Sequence, residues 1–198
     1  SMWGDTPIRG NFGVRYVDTE ITSVGYRGPI TVEEIDGVGF VVTEGDASVS
    51  GFETDTQSSN YQELLPSLTV VADLNDDLVF RVGAFRGMSR PDPHSYGNGR
   101  AVQDNDENNA YTTLSEAING ISASGNPYLK PILSNNLDIG LEWYPSDSTM
   151  VAGLAYWKNF NAQFQTAAQV ETFNLDGNTV QGVVETTQLS NDTSTIKG

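Results

Sequence analysis

The chain has no cysteine, a single histidine, few basic side chains and no long apolar run. Without cysteine there is neither a disulfide framework nor a thiolate metal site, which is compatible with any compartment. His94, in Pro91-Asp92-Pro93-His94, is alone, and one histidine cannot complete a zinc set or a nucleophile–histidine–acid arrangement by itself. We therefore expect no catalytic residue, no metal, no cofactor and no enzyme activity. Lys and Arg number 10 against 26 Asp and Glu, a net charge of −16. That balance argues against nucleic acid and anionic headgroups, which need clustered cations. No stretch approaches the roughly 18 apolar residues of a membrane-crossing helix, and no basic-plus-apolar leader opens the chain. A spanning β-strand would escape such a search.

What is present points to strands. The 20 glycines, with abundant Ser, Thr, Asn and Asp, suit an all-β chain rich in turns. Residues 64 to 91 read as a hairpin: Leu64, Pro66, Leu68, Val70, Ala72 and Leu74 share one parity, and Leu78, Phe80, Val82 and Ala84 continue it beyond a polar turn at Asn75-Asp76-Asp77. Ile8 to Asp18 alternates likewise, with Ile8, Phe12, Val14 and Tyr16 opposing Arg9, Asn11 and Arg15. Asn136 to Tyr144 places Leu137, Ile139, Leu141 and Trp143 opposite Asp138 and Glu142. After the turn at 145 to 148, Met150, Ala152, Leu154 and Tyr156 are expected to carry the apolar face of the next strand. Asp176-Gly177 signals a further hairpin between 170 and 188.

Between these strands lie two long excursions. Residues 22 to 60 read as a loop holding a small hairpin around 37 to 45, and residues 92 to 133 as an irregular stretch with a helix-compatible piece at 112 to 120. Asp104 to Asn109 is rich in oxygen ligands, but Asn109 and Ser115 stand where a calcium loop of the EF-hand type needs Gly and Glu, so a solvated loop is expected. Short turns at one end and long excursions at the other match transmembrane β-barrels better than sandwiches. Periodicity alone does not decide whether the apolar faces meet a core or lipid.

Together, YQELLPSLTVVADLNDDLVFRVGAFRGMSRPDP (61 to 93), GNPYLKPILSNNLDIGLEWYPSD (125 to 147) and the strand through Tyr156-Trp157-Lys158 resemble the barrel of TonB-dependent outer-membrane receptors. The likeness covers most of residues 10 to 160. It implies an antiparallel meander of hairpins from a large up-and-down transmembrane β-barrel, with long loops at one end. It also implies a bacterial outer-membrane location and import of a sugar or an iron chelate, driven through the TonB energy-transducing complex. Residues 1 to 198 would form a partial barrel domain with no plug and no TonB box. Ser1-Met2 before Trp3, and Lys197-Gly198 in mid-pattern, suggest a segment of something longer.

Within that reading Arg15, Asp73, Arg81 and Glu142 are expected to face the lumen, and Tyr96, Tyr111, Tyr128 and Trp157, near the loop end, to contact ligand through their rings. Arg90-Pro91 and Gly125-Asn126-Pro127 read as loop-base geometry. An unclosed segment would carry two free sheet edges and an apolar face, and is expected to self-associate. The alternative reading is a soluble, β-rich extracellular or periplasmic carbohydrate-binding module whose apolar faces form a core.

Overall fold

A computed structural model describes residues 2–3, 6–28, 30–44, 53–175 and 177–198. After a two-residue β1 (Met2–Trp3), the alternating segments fold into long strands: β2 (Thr6–Arg27), β5 (Glu53–Asn75), β6 (Leu78–Ser89), β9 (Ile132–Ser146) and β10 (Thr149–Phe160). Short strands occupy the excursions, β3 (Ile30–Ile35), β4 (Gly39–Glu44), β7 (Arg100–Asp104) and β8 (Ile118–Ala123), and β11 (Phe164–Leu175), β12 (Asn178–Leu189) and the short β13 (Ser194–Lys197) follow β10. Apart from a small β3-β4 sheet and β1, which pairs with β2, they join one curled sheet in the order β11-β12-β8-β7-β2-β5-β6-β9-β10-β13. The chain is all-β, as its composition implies, with a single 3-10 turn at Pro93–Tyr96 as its only helical element among the described residues.

The wall of the sheet is the run β2-β5-β6-β9-β10, antiparallel throughout. Residues directly opposite one another in such a ladder project to the same side. Phe12↔Leu68, Leu68↔Ala84, Ala84↔Leu137 and Leu137↔Trp157 therefore draw one apolar band across five strands. Its large side chains stay uncovered: Phe12 is 72% exposed and Trp143 50%. The turn between β5 and β6 is set by Asn75, whose side-chain oxygen accepts from the Asp77 amide at 3.0 Å.

The expected parity of β10 is corrected by its register. A bulge between Thr149 and Val151 shifts the pairing, so that Val151 lies opposite Trp143, Gly153 opposite Leu141 and Ala155 opposite Ile139. One extra residue flips every later side chain to the other face. Ala152, Leu154 and Tyr156 thus share the side of Glu142, Gly140 and Asp138, and it is the odd-numbered residues that continue the apolar band.

Two further expectations change. The first excursion is shorter than it reads, because residues 22 to 27 pair with 53 to 58 and lengthen the β2-β5 ladder. The polar Ser, Thr and Gln there hide a strand that hydrophobic alternation does not mark. The piece at 112 to 120 is not a helix: Thr113 and Glu116 exchange a capping box, amide to carboxylate at 3.2 Å and amide to hydroxyl at 3.3 Å, but the chain then enters β8. Pairing of Ile118 and Ile121 with β7 outcompetes a single turn of helix.

The buried apolar core sits in the excursions and the β11-β12 hairpin. Val42 of β4, Val102 of β7, Leu114, Ala117, Ile121 of β8, Phe173 and Leu175 of β11, and Val180 and Val184 of β12 pack together. We call this assembly the canopy. It is joined to the wall by Arg27↔Arg100, between β2 and β7, and Val184↔Ile121 joins β12 to β8 within it, both pairings parallel. The hairpin β11-β12, expected around Asp176-Gly177, is present, with Gly177 at φ +84; Asp176 lies outside the described residues.

Candidate functional site

Residues 125 to 131, Gly-Asn-Pro-Tyr-Leu-Lys-Pro, form a bracket between wall and canopy. Its side chains alternate in depth: Asn126, Pro127, Leu129 and Pro131 are buried, whereas Tyr128 and Lys130 project outward. The anchors are long-range. The Asn126 amide donates to Ser95 O at 2.9 Å, its side-chain nitrogen donates to Thr187 O at 2.9 Å, and the Ser59 hydroxyl donates to Pro127 O at 2.5 Å. Asn126 Oδ1 in turn accepts from the Tyr128 amide at 2.9 Å. A Cβ on Gly125 would stand 2.6 Å from Ser95 O and 2.7 Å from Gly97 N, so the close approach at the start of the bracket requires glycine. Tyr128, 56% exposed, is steadied at its far end by a 2.8 Å bond from its hydroxyl to Gln57 Oε1.

Two cavities flank this ring. One, of about 510 Å³, lies between the bracket, wall residues such as Glu63, Asn135 and Asn159, and Gln169 and Gln188 of the canopy. The other, of about 470 Å³, lies between the ends of β2 and β5, Asn98 and Arg100, and residues 169 to 174 of β11. Tyr128 and Gln169 line both.

The charges around the cavities are tied up within the protein. Arg86 meets Glu63 at 3.2 Å, Arg27 meets Asp55 at 2.9 Å and Arg100 meets Glu171 at 2.9 Å. Arg100, whose side chain is 5% exposed, also donates to the carbonyls of Gly99 and Gly125. Its guanidinium thus pins bracket, β7 and β11 at one point. Burial pushes the Asp55 carboxyl up, but hydrogen bonds from Asn98 and Gln57 and the charge and hydrogen bond of Arg27 outweigh it, leaving the group below its ordinary 3.8. Arg27 also lies over the Phe173 ring, 5.2 Å from its centre, and its Nη1 is buried without a hydrogen-bond partner.

Of the aromatics singled out from sequence, Tyr128 alone lines these cavities. Tyr96 sits half-buried in the 3-10 turn, where burial first and neighbouring Tyr61 second raise its phenol pKa. Tyr111 exchanges backbone bonds with Phe40 and packs on the canopy core. Trp157 stands on the apolar band opposite Leu137. The structure does not bring the four together.

The polar quartet does share one side of the wall. Arg81 grips Glu142 through Nε at 2.7 Å and Nη2 at 3.1 Å, and Tyr144 adds a 2.9 Å bond to the same carboxylate. Asp73 pairs with Arg9, and Arg15 lies on the same side, opposite Leu65. Asp106, in the oxygen-rich loop, spends its carboxylate on Asn108 and Asn109; its lowered pKa comes from the Asn108 amide first and the Asn108 side chain second. Among the described residues no group of three or more His, Cys, Asp or Glu is placed to hold a metal ion.

The strand pattern, its open apolar band and its packed excursions agree with the comparison that decides the family: the model of the TonB dependent receptor-like β-barrel matches residues 3–198. The chain belongs to that family. The TonB-dependent receptor barrel was expected from the motifs at 61 to 93 and 125 to 147, and the match extends past them to the end of β13. Among solved structures, a double mutant of the Serratia marcescens hemophore receptor HasR, in complex with its hemophore HasA and heme, is similar at a TM-score of 0.49 and 11% identity. The likeness covers 96% of this chain and 28% of that receptor, so the chain spans less than a third of its length. None of the curated proteins compared matches the chain by sequence.

Sequence reading missed Gln57, Ser59, Asn98, Arg100 and Glu171. Each is an ordinary polar residue whose partner is far away in the chain: Arg100 and Glu171 are 71 residues apart. The one local signal was the alternation of small or apolar with projecting residues in Gly125 to Pro131.

Proposed function

We propose that this chain is a barrel segment of an outer-membrane receptor that imports a small ligand, an oligosaccharide or an iron chelate, using energy delivered through TonB. Residues 1 to 198 contribute part of the barrel domain, without plug or TonB box. The protein is a transporter, not an enzyme. The single observation carrying this reading is the family match over residues 3–198. The two-sided wall supports it: an uncovered apolar band suits lipid, and a polar side with paired charges suits a lumen. On this reading Arg15, Asp73, Arg81 and Glu142 face the lumen, and Tyr128 is the ligand-contacting aromatic of the four considered. In the isolated segment β2 and β10 are open edges over most of their length among the described residues, which supports self-association.

Fractionation of cells expressing the parent protein tests the reading. It is expected in the detergent-soluble outer-membrane fraction, and its ligand uptake is expected to stop when TonB is deleted. Recovery in the soluble fraction would overturn the proposal and favour a soluble binding module.

A further inference from the structure

We infer that the two cavities beside Tyr128 form one elongated site for a neutral, hydroxyl-rich chain, an oligosaccharide, with the Tyr128 ring as its stacking platform. The inference rests on the receptor reading above and narrows its ligand class. Three observations carry it. The first is shape: cavities of about 510 and about 470 Å³ share Tyr128 and Gln169 as a common wall. A compact chelate fills one such space, whereas a chain of rings spans both.

The second is charge. The three ion pairs Arg86–Glu63, Arg27–Asp55 and Arg100–Glu171 neutralise six of the charged groups in the lining. The two that remain, Lys130 and Glu53, are of opposite sign and lie in different cavities. An anionic iron chelate entering a chain of net charge −16 would find no unpaired cluster of cations to hold it. A neutral ligand loses nothing by that balance.

The third is the kind of polar group offered. Amides from Asn135, Gln169 and Gln188 line the two spaces with no bond to another side chain among the described residues, whereas Gln57 and Asn98 are held by Asp55 and Asn159 by Thr195. Each amide both donates and accepts, as each sugar hydroxyl does, so the two match without transferring charge. Between them stands a tyrosine ring more than half exposed, already fixed by its own backbone bracket and by Gln57. A platform held in place before binding loses little entropy when a ring stacks on it.

The test uses the parent receptor, purified in detergent and applied to an array of neutral and acidic oligosaccharides, with ferric citrate and ferrichrome titrated in parallel. Saturable binding of at least one neutral oligosaccharide is expected. Tyr128→Ala should weaken it by about tenfold, and Tyr128→Phe, which keeps the ring, by less than about threefold. Tyr128 is exposed, so both variants should retain the heat-modifiable mobility of a folded barrel. Binding of the chelates alone, no binding on the array, or equal binding by Tyr128→Ala overturns the inference. If the parent is still recovered in the outer membrane, the receptor reading survives that result. Recovery in the soluble fraction overturns both.

Discussion

Wall and canopy are built from the same kind of strand yet solve opposite problems. The wall has long ladders and few buried side chains: Phe12, Tyr16 and Trp143 on its apolar side are all at least half exposed. The canopy has a dense core in which Val184 is fully buried and Ala117 and Val42 nearly so. Water does not tolerate the first arrangement over a continuous surface, but hydrocarbon does. The second is how a water-soluble domain stabilises itself. The difference separates, within one sheet, the part shaped for lipid from the part shaped for water.

This contrast predicts disruptions that act on one side alone. Val184→Asp should have the largest effect: an unpaired carboxylate at a fully buried position costs more than about 4 kcal/mol. Limited proteolysis should then cut the canopy within residues 98 to 129 and 161 to 193 while the parent barrel keeps its heat-modifiable mobility. Arg100→Ala comes next. Removing the buried partner of Glu171 should cost the canopy about 3–5 kcal/mol, read as faster hydrogen exchange in β7 and β11 with exchange in β6 and β9 unchanged.

The opposite disruption is Ile139→Lys, in the apolar band. A lysine facing the middle of a bilayer costs about 2–4 kcal/mol, so folding of the parent into lipid vesicles should weaken by that amount. The canopy's protease resistance should stay as it was. An unaffected barrel would mean that the band does not face lipid. The smallest effect is expected from acid. Asp55 titrates below its ordinary 3.8, so its hydrogen bonds stabilise the canopy above that value and are lost as pH falls through the lowered pKa. Hydrogen exchange at Asn98 and Gln57 should rise below about pH 4, and Asp55→Asn should abolish that dependence.

The two regions also differ in how readable they were. Ile8 to Tyr16 and Leu64 to Ala84 announce themselves because one face is wholly apolar and period two is unambiguous. In β10 both faces carry apolar residues, and the bulge beside Met150 decides between them, a backbone event that alternation does not record. The canopy was hidden for another reason. Its strands β7 and β8 are short, and they cohere only through partners brought in from β4, β11 and β12. The candidate site shows the same split: Tyr128 is conspicuous as an aromatic, but what fixes it, from Ser59 through Ser95 to Thr187, is legible only in three dimensions.

The length of the β2-β5 ladder has a consequence for where binding would occur. The two strands run 22 and 23 residues, whereas crossing a bilayer takes about 9–11. At roughly 3.3 Å per residue the ladder measures about 70 Å along the strand, so even when tilted it rises like a mast well above the headgroups. The bracket is fastened to its upper half, at Gln57 and Ser59. On the receptor reading proposed above, the entrance would then stand clear of the lipid surface, and the free end of a long polymer could enter without the rest having to approach the membrane.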